Sequence, residues 1–304
     1  MITLREIIQP RISINGHEKV EENSCPVVGW IRVLLLIAML FLAPGHLVEA
    51  TNSRYELSRA ELLMIGRQVF QNECGGKTSS LTAWNSGESF ASMGIGHFIW
   101  YPKDVRQTYQ ESFPQLVAYL KQHGSLPPKC LRKIGRLFCP WPNFLAFQKV
   151  RQSSACMNSI RLWLGRTFDL QCSFMLDRLI AALPQVLQHA PVTKRGAVQE
   201  RVVLLCQSLA GKFALLDYVN FKGEGLNPLE RYQGIGWGLL QVLLEMRQVA
   251  DDDVVKEFSL AAERVLRRRV DLSPHRRNEK LWLNGWVLRV KKYVTFGTCQ
   301  GKSP

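Results

Sequence analysis

The amino-acid sequence predicts a mainly α (α+β) fold, with a helical body and one small β element. Apolar residues recur at helical spacing in most segments after residue 58, whereas residues 77–101 lack that period. Strands and helices do not alternate and no internal repeat is present, which argues against a parallel α/β sheet or a repeat array. The composition, 46% apolar and 21% charged, is that of a globular protein.

An apolar run near the N-terminus predicts export. Residues 33–43 (VLLLIAMLFLA) have the length of a signal-peptide core and are too short to cross a bilayer comfortably. Arg32 precedes the run, and small residues allow cleavage after Ala50. We therefore expect residues 1–50 to be an N-terminal extension and signal peptide. Residues 51–304 would then be a periplasmic or extracellular domain without a membrane span, and the alternative is an uncleaved membrane anchor.

The first helix is predicted over residues 58–71, where Ser58 and Glu61 form a capping-box pattern. Glu73 lies just beyond its last turn, and two glycines end it. Residues 77–101 contain Gly87, Gly94 and Gly96 among aromatic residues, which suits a hairpin of two or three short strands.

The remaining chain is predicted to be helical with breaks at proline and glycine. Proline-containing breaks are expected near residues 127–128 and 140–142, and residues 221–228 are expected to form a loop. The predicted helices cover residues 112–122, 143–153, 156–167, 168–187 with an interruption near Pro184, 193–210, 212–220, 236–249 and 253–269, and a last one opens at Ser273-Pro274.

Charge and cysteine content limit the partners. Residues 1–50 carry four Lys or Arg and five Asp or Glu, so the remaining chain has a formal net charge of +15. Such a charge attracts polyanions, and for an exported protein we expect the anionic cell wall or membrane surface rather than nucleic acid. Seven cysteines follow residue 50, of which Cys130 and Cys139 are the most plausible local disulfide. Neither a metal-type Cys/His spacing nor a phosphate loop is present, so we expect no metal and no cofactor.

A short segment carries a family resemblance. Glu73 at a helix end, followed by Ser92-Met93-Gly94-Ile95-Gly96-His97, resembles the catalytic segment of phage-type lysozymes, in which a β-hairpin carries a TxGxGH-like motif. Ser92 stands at the threonine of that motif. The family's aspartate position falls at about Ser86, where there is no carboxylate. Later segments of the chain match the family more weakly, but in the order that the family has them. The resemblance therefore covers about residues 58–102 and 212–294. Residues 105–210 would then be a large helical insertion.

The resemblance implies a lysozyme-like domain that cleaves the MurNAc-GlcNAc β-1,4 bond of peptidoglycan, with Glu73 as general acid. Glu88, two residues from the vacant aspartate position, could serve as the second carboxylate of a muramidase. Alternatively, the enzyme would be a lytic transglycosylase, in which the C6 hydroxyl of the substrate closes onto the sugar and no second carboxylate is needed. The residues leave both reactions open.

Further site residues are predicted around these groups. The Ser92 hydroxyl would form a hydrogen bond with the substrate, with a water or with the backbone of its own hairpin. His97 would bind the substrate or tie the hairpin to the core. Trp84 and Tyr101 would stack on sugar rings or pack in the core. Asn85 lies beside the vacant aspartate position. The resemblance directs four later residues to the cleft: Asn220, Lys222, Glu224 and Gln233.

Two other functions are consistent with the sequence. The chain could be a non-catalytic wall-binding or envelope-assembly protein that keeps a lysozyme-like fold, because the family aspartate is missing and the insertion is large. It could also be a helical envelope protein in which the Gly-Ile-Gly-His run is a coincidence. In the preferred interpretation the partners are peptidoglycan glycan strands, and the enzyme acts as a monomer.

Overall fold

A computed structural model describes residues 56–132 and 137–297 and confirms a mainly helical fold with a small antiparallel sheet. The predicted signal peptide at 1–50 lies outside the described residues, as does Cys299. The helices are α1 (Arg59–Cys74), α2 (Phe113–Gln122), α3 (Lys129–Arg132), α4 (Phe144–Val150), α5 (Ala155–Arg166), α6 (Phe168–His189), α7 (Val192–Cys206), α8 (Leu209–Lys222), α9 (Leu239–Glu245), α10 (Val254–Leu272) and α11 (Lys280–Thr295). The strands are β1 (Thr82–Ala83), β2 (Ala91–Met93), β3 (Phe98–Trp100), β4 (Arg231–Tyr232) and β5 (Ile235–Gly236).

Helix α1 begins at the predicted capping box. The Ser58 hydroxyl accepts a hydrogen bond from the Glu61 backbone N–H, and the Glu61 carboxylate accepts one from the Ser58 backbone N–H. The helix runs three residues further than predicted, so Glu73 lies inside its last turn. Gly75 then ends it in the left-handed conformation.

Strands β1, β2 and β3 form the predicted small β element as an antiparallel sheet in that order. Ser92 at the centre of β2 pairs with Ala83 of β1 and with Ile99 of β3. Gly94 and His97 both have positive φ, which turns the chain sharply between β2 and β3. The turn brings His97 back toward the end of α1, where its ring reaches Glu73.

Some helix boundaries differ from the prediction. Helix α6 continues through Pro184, which lies on its exposed side. The segment at 236–249 is helical only over α9, because Ile235 and Gly236 pair with β4 as a small hairpin. The last helix begins at Lys280, since a 3₁₀ turn at His275–Arg277 separates it from Pro274.

Residues 105–210 belong to the same hydrophobic core as the rest of the described chain. Phe113, Phe147, Ile160 and Leu183 are buried in one cluster with Ile65 of α1. Helix α6 packs against both α1 and α8. This segment is therefore part of the same packed body as α1 and α8.

The predicted Cys130–Cys139 disulfide is wrong. Cys130 of α3 is bonded to Cys156 of α5, and Cys139 is a buried thiol. The Cys139 backbone N–H donates to the Tyr101 carbonyl at 2.9 Å, which holds Cys139 beside the end of β3.

No single helix within the described residues is long and apolar enough to span a membrane. Helices α7 and α8, which are bent by 118° relative to each other, reach the required length and apolar content only when they are taken together.

Candidate functional site

A cavity of about 500 Å³ is bordered by the end of α1, the β-sheet, α8 and α11. Among its lining residues are Glu73, Glu88, Ser92, His97, Asn220 and Lys222. Most of the site residues that were predicted from the sequence therefore line this one cavity.

Glu73 is held by three neighbours from three other elements. Arg289 Nη1 of α11 lies 2.7 Å from Glu73 Oε1, and His97 Nδ1 lies 3.6 Å from Oε2. Asn220 Nδ2 of α8 donates to Oε1 at 3.5 Å. The Glu73 side chain is 15% exposed, so its carboxyl group is positioned by the fold and still borders the cavity.

Arg289 is itself fixed from behind. Its Nε and Nη2 donate to the two oxygens of Asp217 at 2.8 and 2.7 Å, and the Tyr293 hydroxyl donates to Asp217 Oδ2 at 2.7 Å. Burial alone would lower the pKa of Arg289, but the carboxylates of Asp217 and Glu73 outweigh it and raise that pKa. Arg289 is therefore a permanent cation beside Glu73.

The hairpin touches α8 through a glycine. Asn220 Nδ2 donates to the Gly96 carbonyl at 3.0 Å. A Cβ on Gly96 would lie 2.7 Å from Asn220 Oδ1, which is closer than such contacts allow. The second glycine of the Gly-Ile-Gly-His run thus permits the contact that brings Asn220 to Glu73.

Cys74, His97 and Glu73 form a line that resembles a thiol nucleophile with its base. His97 Nε2 lies 3.4 Å from Cys74 Sγ, and His97 Nδ1 faces Glu73. However, burial, aided by the charge of Glu73, raises the pKa of the Cys74 thiol to about 12, and Cys74 does not line the cavity. His97 Nε2 also lies 3.0 Å from the Ser80 carbonyl, which ties the hairpin down. The line is better explained as support for Glu73 than as thiol catalysis.

Glu88 is a second carboxyl group on the same cavity. It lies in the loop between β1 and β2, anchored by its backbone carbonyl, which accepts from Trp84 Nε1 at 2.9 Å. Burial raises the pKa of Glu88, and Arg277, Arg269 and Lys222 offset this only in part. Glu73 and Glu88 therefore have different surroundings, an arginine at one and desolvation at the other.

Five predicted binding residues line the cavity, namely Asn85, His97, Asn220, Lys222 and Glu224. Three others do not. Trp84 is buried and packs on Phe147, and Tyr101 is buried with its hydroxyl accepting from the Tyr109 backbone N–H. Gln233 is exposed at the turn of the β4–β5 hairpin, with positive φ. The prediction that these three contact a substrate in the cavity is corrected accordingly.

Several lining residues were missed by the sequence analysis. Trp282 and Trp286 of α11 line the cavity, and Arg289 lies behind it. Their spacing of four and three residues places them on one face of a helix, which could have signalled a shared surface. Arg178, Arg269 and Arg277 also line the cavity. Arg269 and Arg277 belong to short arginine runs, a pattern that a solvated helix face shares.

A second cavity of about 490 Å³ adjoins the first and shares four lining residues with it. These are Tyr109, Gln110, Arg178 and Glu224. Gln107, Gln115 and Gln185, all from the 105–210 segment, add amide groups to its wall. The segment thus extends the space next to the Glu73 cavity.

No group of three or more His, Cys, Asp or Glu side chains suited to a metal ion occurs in residues 56–132 and 137–297.

Comparison of the chain with protein-family models, curated proteins and solved structures gives no match.

Proposed function

We propose that this chain is an exported glycosidase that cleaves the β-1,4 bond between MurNAc and GlcNAc in peptidoglycan, with Glu73 as the proton donor. One observation carries the proposal: Glu73 ends a helix, is held by the hairpin, α8 and α11, and borders a cavity that also contains Glu88. Positioned carboxyl groups around a cavity of this kind suit general acid catalysis on a glycosidic oxygen.

The neighbours of Glu73 suit the second half of a proton transfer, in which the acid becomes a carboxylate. A proton must reach the leaving oxygen as the bond to the sugar breaks, which leaves Glu73 as a carboxylate. Arg289 at 2.7 Å stabilises that carboxylate, and Asn220 donates to the same oxygen. Trp282 and Trp286 provide aromatic surface on which sugar rings can stack.

Glu88 would be the second group in a hydrolase. To remove a proton from water it must be ionised, so hydrolysis would rise with pH through the raised pKa of Glu88. In a transglycosylase the C6 hydroxyl of the sugar attacks instead and yields a 1,6-anhydro product. The same active site therefore predicts two distinguishable products.

A second candidate is a peptidoglycan-binding protein without chemistry. The 2.7 Å contact between Arg289 and Glu73 favours it, because Glu73 then belongs to the same ion-pair network as Asp217 and can serve the fold alone. Binding of glycan strands would then use the same cavity.

Digestion of purified sacculi separates these functions. We expect the Glu73→Gln variant to release glycan fragments at least about 100-fold more slowly than the wild type, since a general acid contributes that much or more. Glu200→Gln, an exposed glutamate of α7 outside the cavity, is the matched control and should be fully active.

Equal activity of Glu73→Gln would remove Glu73 from the mechanism. Binding of sacculi without any turnover by the wild type would favour the non-catalytic candidate. Mass spectrometry of the fragments identifies reducing ends or 1,6-anhydro ends, and Glu88→Gln should abolish only the former.

A further inference from the structure

Lys222 is a buried cation that the proposed proton transfer does not use. It occupies the last turn of α8, lines the cavity and is 9% exposed. Its Nζ lies 3.5 Å from the centre of the Trp286 ring and 4.0 Å from that of Phe221. Two aromatic faces therefore hold the amine at the cavity wall.

The arginines around the cavity differ from Lys222 in having carboxylate partners. Lys222 Nζ makes no ion pair within 4.0 Å among the described residues. The arginine pairs are Arg178–Glu224 at 3.7 Å, Arg269–Glu279 at 2.8 Å, Arg277–Glu279 at 3.4 Å and Arg289–Asp217 at 2.7 Å. Lys222 is thus the cation at this cavity whose charge the described chain leaves unmatched.

An unmatched ammonium group in this position is unfavourable. It has three N–H donors, and aromatic rings attract a cation without replacing the strong acceptors that water provides. Burial of the charge therefore costs free energy that an anion in the cavity would recover. Burial, followed by the neighbouring Arg269, lowers the pKa of Lys222 well below its usual value.

We propose that Lys222 binds a carboxylate of the glycan, so that the cavity selects strands whose MurNAc lactyl group is free of its peptide. The inference rests on the proposed function, and it names the form of the substrate. In a strand that carries peptides the lactyl carbonyl is an amide without charge, whereas in a peptide-free strand it is a carboxylate with two acceptor oxygens.

Binding of such a strand is linked to protonation. Arg269 and Arg289 favour the neutral amine, Glu279 and Glu73 favour the ammonium, and Glu88, His97 and Arg277 also face the cavity. A ligand carboxylate adds to the second set, so Lys222 takes up a proton from solvent when the pH lies between its pKa values in the free and bound protein. Affinity for the carboxylate ligand then falls as the pH rises through that window.

Isothermal titration calorimetry tests the proposal with two matched probes. One is a GlcNAc-MurNAc tetrasaccharide with free lactyl carboxylates, and the other is its methyl ester. The wild type and the Glu73→Gln protein are both titrated, the second because it cleaves no ligand, and buffers of different ionisation enthalpy report proton uptake. We expect the ester to bind about 10-fold or more weakly, as for loss of a charge-assisted hydrogen bond, and only the acid to show proton uptake.

Variants of Lys222 complete the test. In the Glu73→Gln background, Lys222→Met should bind acid and ester equally and without proton uptake, while the exposed Lys149→Met should behave like the parent. Lys222→Arg keeps a charge that does not titrate, so it should retain the preference for the acid and lose the proton uptake. This second variant decides the matter if Lys222→Met fails to fold.

Two outcomes would overturn the proposal in different ways. Equal binding of acid and ester by the protein with Lys222 intact would exclude the role of Lys222 and leave the proposed function standing. Failure of that protein to bind either tetrasaccharide would overturn both the role of Lys222 and the proposed function.

Discussion

At the scale of single residues, Glu73 belongs to a network of charges that is centred on Arg289. Glu73 and Asp217 share Arg289, and Tyr293 completes the hydrogen bonds of Asp217, which has no exposed surface. Removing one member leaves another buried without its partner, which costs more than the pair itself contributes. The arrangement is therefore sensitive to single substitutions and tolerant of paired ones.

We expect Arg289→Met to lower the free energy of unfolding by about 3–5 kcal/mol, because Asp217 is left as an unpaired buried charge. The double variant Asp217→Asn/Arg289→Met should lose less than the sum of the two single variants, since neither charge then remains alone. Urea unfolding of the four proteins measures this, and additive losses would show that the two groups are not coupled.

The protonation of Glu88 should make the stability of the folded protein depend on pH. Its folded-state pKa is raised by burial, so the folded protein holds a proton that the unfolded chain releases at lower pH. The wild type should lose stability as the pH rises from the ordinary glutamate range through the raised pKa. Glu88→Gln lacks that loss, so its advantage in Tm should be absent at low pH, grow across this window and level off above it.

Thermal melts between pH 4 and 8 measure the difference, with Glu200→Gln as the exposed control. A Glu88→Gln advantage that shrinks with rising pH would contradict the assigned direction.

At the scale of elements, the hairpin and α8 meet through a backbone that has no room for a side chain. Gly96 approaches Asn220 closely, and the turn that contains it needs positive φ at Gly94 and His97. Because Asn220 also reaches Glu73, the fit of these two elements sets the position of the proposed acid.

We expect Gly96→Ala to cost about 1–3 kcal/mol of stability through overpacking and to reduce glycan cleavage as Asn220 is displaced. Gly165→Ala is the control, since a Cβ there meets only Leu81 at 4.0 Å on an exposed helix position. It should be neutral or stabilising by about 1 kcal/mol. Denaturation curves and sacculus digestion report the two effects, and full activity of Gly96→Ala would show that the contact does not position Glu73.

At the scale of the whole molecule, one core joins the segment at 105–210 to the helices and the sheet on either side of it. The Cys130–Cys156 disulfide ties α3 to α5 within that segment across 26 residues. A crosslink of this span limits the unfolded chain and should stabilise the fold by about 3 kcal/mol.

The variant Cys130→Ser/Cys156→Ser should therefore have a Tm that is lower than that of the wild type by several degrees. Reduction of the wild type removes the same crosslink and should give the same Tm as the variant. Peptide mapping without reduction identifies the linked cysteines, with Cys139 alkylated as a thiol after unfolding. Recovery of a peptide joining Cys130 to Cys139 would contradict the pairing.

Local sequence was sufficient for the helices and the hairpin. The capping box at Ser58, the glycines around β2 and β3 and the apolar spacing of α8 or α10 depend on residues a few positions apart. Boundaries failed where distant contacts decided them, as at α9, which is shortened by pairing of β4 with β5. The cysteine pairing failed for the same reason, because proximity in sequence favoured Cys139 over Cys156.

The sequence by itself determined a mainly helical fold with one small sheet, and it placed Glu73, Glu88, Ser92 and His97 within one short stretch. Only the tertiary structure brought Asn220 to Glu73 across 147 positions and placed Arg289 beside it. It also excluded Trp84 and Tyr101 from the cavity and left Lys222 without a carboxylate. The physical reason is that helix and turn patterns are short-range, whereas burial and charge pairing depend on which distant surfaces pack together.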